Sequence, residues 1–283
     1  MEHKEFSGVV YLAFAAVFWS FSGLLVKSVG WSAVSLVCFR GILTGAAFLL
    51  ILRPKKKIRW NFAKLMSAGC YFFQSLFLIL AHKYTTAGNA TVIQNISPIF
   101  IILMNALILH RKPEKLDILS CMLMLLGVVL CFAGSFGGGA FLGNLFALIS
   151  AVFYSGVFFA NSLEDANPLE SLMLGNFLYV LLLPFLFTDK AVFASTWKDI
   201  CIVLAFCLLS GVAAWYCFSK GIGKTTALSA GFAAMLEPVL SPVWPFLFIG
   251  ECLTPLALAG GALVILTLVF YNAVQNKKKD KKI

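Results

Sequence analysis

The stretch KTTALSAGFAAMLEPVLSPVWPFLFIGE, running from Lys224 to Glu251, is an apolar segment of helix length that sets Glu237 and Pro238 side by side near its middle. A helix beginning near Thr226 would carry Glu237 ~16 Å along its axis, about half of a ~30 Å hydrocarbon layer. An acid at that depth is costly and marks a functional candidate. The same stretch has an earlier partner. Tyr84 to Pro98 reads YTTAGNATVIQNISP, and its Thr85, Thr86, Ala87, Ala90 and Pro98 recur at one constant offset as Thr225, Thr226, Ala227, Ala230 and Pro238. A second echo pairs Ala16-Val17-Phe18-Trp19-Ser20 with Ala151-Val152-Phe153-Tyr154-Ser155, with Gly8 and Gly143 at matching distances before them. The chain reads as two copies of one unit.

Composition fixes the solvent. Of 283 residues, 61% are hydrophobic and 12% charged, which leaves too little polar surface to cover a water-soluble body. The net charge of +10 sits in short loops between apolar runs and in the tail, where it acts as a topology signal. The runs RPKKKIR and KKKDKK suit anionic lipid headgroups at the cytoplasmic face, and no nucleic-acid partner is expected. The cysteines fall almost entirely inside apolar runs with no CxxC pair, so they read as packing residues. No metal site and no cofactor are expected. The residues before Gly8 carry no net positive charge, and the first apolar run is long enough to span, which argues against a cleaved signal peptide.

Ten apolar runs predict ten transmembrane helices, near residues 8–27, 32–52, 62–81, 86–109, 116–134, 141–161, 168–188, 197–218, 226–249 and 253–273. With the N-terminus inside, the inner segments hold Lys4, Arg53, Lys55, Lys56, Lys57, Arg59, Lys64, Arg111, Lys112, Lys115, Lys220, Lys224 and the tail lysines. The outer ones hold Lys27, Lys83, Lys190 and Lys198. That asymmetry places both termini in the cytoplasm. The expected fold is an all-α membrane protein of the plasma (inner) membrane. Its first five-helix repeat is residues 1–138, its second 139–274, and a basic tail occupies 275–283. An odd number of crossings per copy makes the repeats inverted, a plan that secondary transporters use to bind solute near the midplane.

These features resemble the drug/metabolite transporter superfamily, specifically the EamA-like permeases. The likeness rests on the AVFWS opening with its AVFYS echo, Arg40 early in the second span, and LEPVLSPVWPFLFIGE closing the ninth. The first copy has Ser97-Pro98 and His110-Arg111 where the second has Glu237-Pro238 and Gly250-Glu251, so only the second half can use an acid there. The resemblance implies movement of amino acids, related metabolites or drug-like amphiphiles, often outward and without ATP hydrolysis.

Glu237 is the sharpest candidate, either binding a cationic group or titrating a coupling proton. The plainer alternative is an acid that fixes a helix break at Pro238. Arg40, ~12 Å inside the second span, can pair with Glu237, hold a carboxylate, or snorkel outward. Trp19 and Tyr154 occupy equivalent positions near mid-depth, with Trp215 and Tyr216 lower in the eighth span. Together they can line an aromatic cavity, or simply pack. Gln74, Asn95 and Asn176 must face the bundle interior, lining a cavity or bonding between helices. Small residues at Gly41, Gly45 and Gly260 and through Ala230–Ala234 allow close helix approach. Pro98, Pro184, Pro238, Pro242 and Pro245 interrupt helices. Glu251, at a membrane edge, reads as structural.

Gly223-Lys224-Thr225 imitates the end of a phosphate-binding loop, but position 218 is Phe218 rather than glycine, and no strand precedes it. The leading function is a small-molecule carrier working by alternating access, with an uncoupled facilitator channel as its variant. An intramembrane enzyme is the rival class. It needs a nucleophile and base or a metal cluster, whereas His3, His82 and His110 sit at span ends or in the tail. A monomer and a homodimer are both compatible with this reading.

Overall fold

The computed structural model describes residues 2–52, 61–108, 110, 112–133, 140–161, 163, 167–221 and 236–280. The basic segment 53–60, Arg111 and residues 222–235, with Thr225, Thr226 and the run Ala230–Ala234, lie outside the described residues. The helices are α1 (Glu2–Ser20), α2 (Ser22–Lys27), α3 (Ala33–Leu52), α4 (Phe62–Tyr84), α5 (Ala87–Gln94), α6 (Ser97–Ile108), α7 (Lys115–Ala133) and α8 (Phe141–Asn161). They continue with α9 (Pro168–Phe177), α10 (Leu183–Thr188), α11 (Lys190–Phe193), α12 (Trp197–Phe206), α13 (Ala214–Gly221), α14 (Leu236–Leu240), α15 (Val243–Ile249) and α16 (Pro255–Asp280). A 3₁₀ turn, Leu178–Leu182, joins α9 to α10, and a π-helical segment, Cys207–Ala213, joins α12 to α13. No strand occurs among the described residues.

Eight stretches among the described residues are long and apolar enough to cross a bilayer: Ser7–Lys27, Ala33–Leu52, Phe62–Tyr84, Ala87–Ile108, Lys115–Ala133, Phe141–Ala160, Pro168–Thr188 and Trp197–Gly221. They coincide with the first eight expected spans to within a few residues. Two shorter apolar helices follow, Leu236–Ile249 and Pro255–Tyr271. The outer faces carry bare apolar side chains such as Leu107, Met122, Val129, Leu181 and Phe248, a surface suited to lipid rather than water.

Local chemistry sets the ends of these helices. Asn61 caps α4 by accepting from the Lys64 amide at 2.8 Å, and Thr86 caps α5 through the Asn89 amide at 3.2 Å. At α12, Thr196 and Asp199 form a reciprocal capping box, which satisfies first-turn amides that apolar surroundings cannot.

Two apolar cores hold the bundle, and each draws on early and late parts of the chain. One includes Val37, Phe48 and Tyr71 with Leu172, Tyr179, Phe206 and Trp215. The other joins Ile93, Met124 and Val128 to Ala147, Ala151 and Val264. Close crossings rely on glycine: a Cβ on Gly41 would fall 2.1 Å from the Tyr179 ring, and one on Gly260 would fall 2.4 Å from the Gly127 carbonyl oxygen. Both positions match the small-residue pattern read in the sequence.

Three interruptions of the spans meet at one place. The first span breaks at Phe21 and the fourth at Asn95–Ile96; α14 and α15 separate at Ser241–Pro242. Pro98 and Pro242 each remove an N–H donor from the helical ladder. The described interruption therefore lies at Pro242, and Pro238, expected at the break, sits inside α14. Hydroxyls bridge the interruptions: Ser241 Oγ lies 2.9 Å from Thr91 Oγ1 and donates to the Ser20 carbonyl at 3.5 Å. Trp244 donates to Ser20 Oγ at 2.8 Å while its ring stacks on Phe21 at 4.4 Å between centroids.

Candidate functional site

Beside that junction a cavity opens between helices drawn from both halves of the chain. Helix α4 supplies its longest wall. Tyr71, Gln74, Ser75, Leu78, Ile79 and His82 line it, and their i, i+3, i+4, i+7, i+8, i+11 spacing places them on one helical face. Trp19 and Ser22 flank the break of the first span, and Gln94 closes α5 just before the break made by Pro98. From the later chain come Tyr154 on α8, Phe206 and Ser210 around the π-helical segment, Trp215 on α13, and Glu237 on α14. The hollow holds about 30 Å³ of water-accessible space, room for about two water molecules. A metabolite requires it to widen.

Six expected residues therefore come together: Trp19, Arg40, Gln74, Tyr154, Trp215 and Glu237. Trp19 and Tyr154, equivalent in the two echoes, both line the cavity. The Trp19 and Trp215 rings meet edge to face with centroids 4.9 Å apart, and Tyr71 meets Trp215 at 5.3 Å. Such aromatic walls present flat apolar faces. Arg40 is buried, its guanidinium 5.3 Å from the centre of the Phe206 ring. It donates through Nη2 to Ser75 Oγ and, at 3.5 Å, to Tyr71 Oη, while its Nε has no hydrogen-bond partner. It thus faces the cavity and does not snorkel. No ion pair joins Arg40 to Glu237 among the described residues.

The other three expected residues lie elsewhere. Asn176 stands behind the wall: it accepts from Tyr71 Oη at 3.4 Å and donates to the Leu172 carbonyl at 2.8 Å, so it steadies the tyrosine that contacts Arg40. Asn95 ends α5 by donating to the Thr91 carbonyl at 2.9 Å, an interaction that competes with cavity exposure. Tyr216 has the Lys220 ammonium 5.4 Å from its ring centre, and the lining does not include it.

Ser22, Tyr71, Ser75, Gln94, Ser210 and His82 were not among the expected site residues. The i, i+3, i+4 run on α4 was visible in the sequence and is the signal that finds Tyr71 and Ser75. His82, expected at a span end away from any site, stands two residues before the end of α4 and is 1% exposed. Its Nε2 is 3.4 Å from Ser22 Oγ, and its Nδ1 has no partner. Ion pairs close both ends of the bundle: Lys27 with Glu251, and Lys64 with Glu170 at 2.5 Å.

A lipid-facing helical bundle enclosing a narrow cavity of mixed aromatic, cationic and acidic lining has the form of a membrane transporter. The EamA-like transporter family matches residues 6–133 and again residues 141–273, so the chain belongs to that family and to the drug/metabolite transporter superfamily. It is a multi-pass membrane transporter, not an enzyme. Its relatives include an uncharacterized transporter of Archaeoglobus fulgidus, 24% identical over 91% of this chain and 95% of that one. The uncharacterized transporter YwfM of Bacillus subtilis is likewise 24% identical, over 95% of each chain. A solved crystal structure shares the fold, with a TM-score of 0.63 and 18% identity over 95% of this chain and 98% of its own.

Proposed function

We propose that this transporter carries a small amphiphilic solute with a carboxylate and an amine, such as an amino acid, by alternating access around the cavity between Arg40 and Glu237. The observation that carries the reading is that opposed pair of charged residues, brought by different halves of the chain into one hollow walled by Trp19 and Trp215. Arg40 keeps a free Nε for a carboxylate, and its planar fork suits that group. Glu237 receives the ammonium, or a proton when the solute has left.

The architecture we propose is ten spans in two inverted five-helix repeats, 1–138 and 139–274, that rock about the cavity. The twofold family match and the paired Trp19 and Tyr154 support it. The loop asymmetry in Lys and Arg supports cytoplasmic termini in the plasma (inner) membrane, and export is what the resemblance to EamA-like permeases implies. In this orientation the Lys27 end faces outward.

The test uses proteoliposomes and three phenyl compounds of like size: L-phenylalanine, phenethylamine and 3-phenylpropionate. Arg40→Lys weakens the two carboxylates about 10- to 100-fold relative to phenethylamine. Equal loss for all three makes Arg40 structural. Glu237→Gln removes the drive from a pH gradient more than it slows exchange; unchanged gradient dependence favours the uncoupled facilitator. If the wild type moves none of the three, and no other amino acid or amphiphile in a broad panel, the carrier reading falls.

A further inference from the structure

The cavity holds a second titratable group that solute binding does not require. His82 is 1% exposed, yet Nδ1 lacks a hydrogen-bond partner and Nε2 has only the 3.4 Å approach of Ser22 Oγ. Buried polar atoms are nearly always satisfied, and an exception calls for a reason. Packing alone does not supply one here. Helix α2 lies close against the ring, since a Cβ on Gly23 would stand 3.3 Å from Nδ1, and this leaves no neighbouring acceptor.

Position gives the reason. Ser75 contacts Arg40, and His82 is seven residues further along the same face of α4, ~10 Å nearer the Lys27 end. The ring thus lies between the level of Arg40 and the end of the bundle that Lys27 and Glu251 close. Lys27 from α2 is the charge that acts on the ring; Lys83 adjoins it on α4, and the cavity it lines also holds Arg40 from α3, Tyr71 from α4, Tyr154 from α8 and Glu237 from α14. Lys27 is held by Glu251, while Lys83 donates to the Val29 carbonyl at 2.5 Å. Both amines are engaged, and neither accepts a proton. Among the groups at this level the imidazole is the one that can both accept and donate a proton.

We propose that His82 is the station through which the cavity exchanges protons with the Lys27 end, a reading that rests on Glu237 as the coupling acid. The protonated Glu237 carboxyl gives its proton, through Ser22 or water in the hollow, to the free imidazole nitrogen, leaving a carboxylate and an imidazolium. The imidazolium then releases the proton to water when the Lys27 end opens, and the nearby Lys27 ammonium favours that departure. Nothing is oxidised or reduced.

The experiment follows internal pH with pyranine in proteoliposomes while wild-type protein carries whichever of the three phenyl compounds it exchanges. Two rates are read, proton movement and solute exchange. His82→Gln keeps a partner for Ser22 but holds no proton, and it slows proton movement roughly tenfold or more beyond any slowing of exchange. His82→Asn repeats the result with a shorter side chain. Equal slowing of both rates marks a structural histidine and overturns the proposal, as does a proton rate that stays at the wild-type level. If the wild type itself moves no protons with solute, or Glu237→Gln leaves proton movement intact, the coupling role of Glu237 fails first and this station with it.

Discussion

At the Lys27 end, Glu251 pairs with Lys27 and accepts the Ala87 amide at 2.6 Å, so one carboxylate ties α2 to the start of α5 from the loop after α15. At the Lys64 end, the corresponding tie among the described residues is the Lys64–Glu170 pair between α4 and α9. The first is a three-way junction reinforced by Lys83 on the Val29 carbonyl and by Trp31 on Ser195 Oγ at 2.6 Å. The second is a two-way contact. Alternating access requires each end to part in turn, and the lesson is that parting costs more where one acid serves two partners. Under the alternating access proposed above, the small hollow between the two ties would belong to a state closed at both ends.

The largest difference should come from deleting the two acids in turn. Glu251→Ala removes an ion pair and strands a backbone amide, whereas Glu170→Ala removes an ion pair alone. Thermal unfolding in detergent should show Glu251→Ala the more destabilising by about 1.5 kcal/mol, the worth of one hydrogen bond to a charged group. Equal losses would break the contrast between the ends.

Much of this was legible in the sequence, for physical reasons that differ by region. Long apolar runs have no soluble alternative, so the first eight spans could be placed within a few residues. Charged or aromatic side chains deep in a span have few roles open to them, which is why Trp19, Arg40, Tyr154, Trp215 and Glu237 could be read from the sequence as candidate lining of the cavity they now border. Depth does not give rotation about the helix axis, however, and Asn95 and Tyr216 lie at suitable depths on other faces. His82 was missed because the third span was expected to end at residue 81, so a buried side chain was assigned to a surface. Serines such as Ser22 and Ser210 gave no signal: in membrane helices a hydroxyl commonly bonds its own helix, as Ser20 does to the Val17 carbonyl at 2.7 Å.

A smaller contrast concerns helix crossings near the two ends. A Cβ on Gly143 would stand 2.4 Å from the Tyr84 carbonyl carbon and 2.5 Å from the Thr85 nitrogen, backbone atoms that cannot rotate away. One on Gly175 would meet the Ala68 carbonyl oxygen at 2.8 Å and the Tyr71 ring at 2.9 Å. Both alanine substitutions should cost about 1–3 kcal/mol, with Gly143→Ala the greater. Gly175→Ala should in addition weaken carboxylate binding, because it presses on the tyrosine that contacts Arg40. Unfolding temperatures and solute affinities of the two variants check both halves of the statement.

The smallest effect should be confined to one end and to acid. Asp189 accepts the Ser32 amide at 2.9 Å and the Ala191 amide at 3.0 Å, tying the loop before α3 to α11. Partial burial pushes its carboxyl up, but hydrogen bonds from Ser35, Ser32 and Ala191 outweigh that and hold it below the ordinary value of 3.8. A carboxylate depressed by folding contributes stability that is complete above its unfolded pKa and is lost as pH falls through the folded one. Below pH 3.8, amide exchange at Ser32 and Ala191 should therefore quicken in the wild type, while the Lys64 amide, bonded to the uncharged Asn61 side chain, should keep its protection. Asp189→Asn should abolish the acid-specific step at Ser32 and Ala191. If the Lys64 amide loses protection over the same interval, the two ends loosen together, and the independence on which their comparison rests is gone.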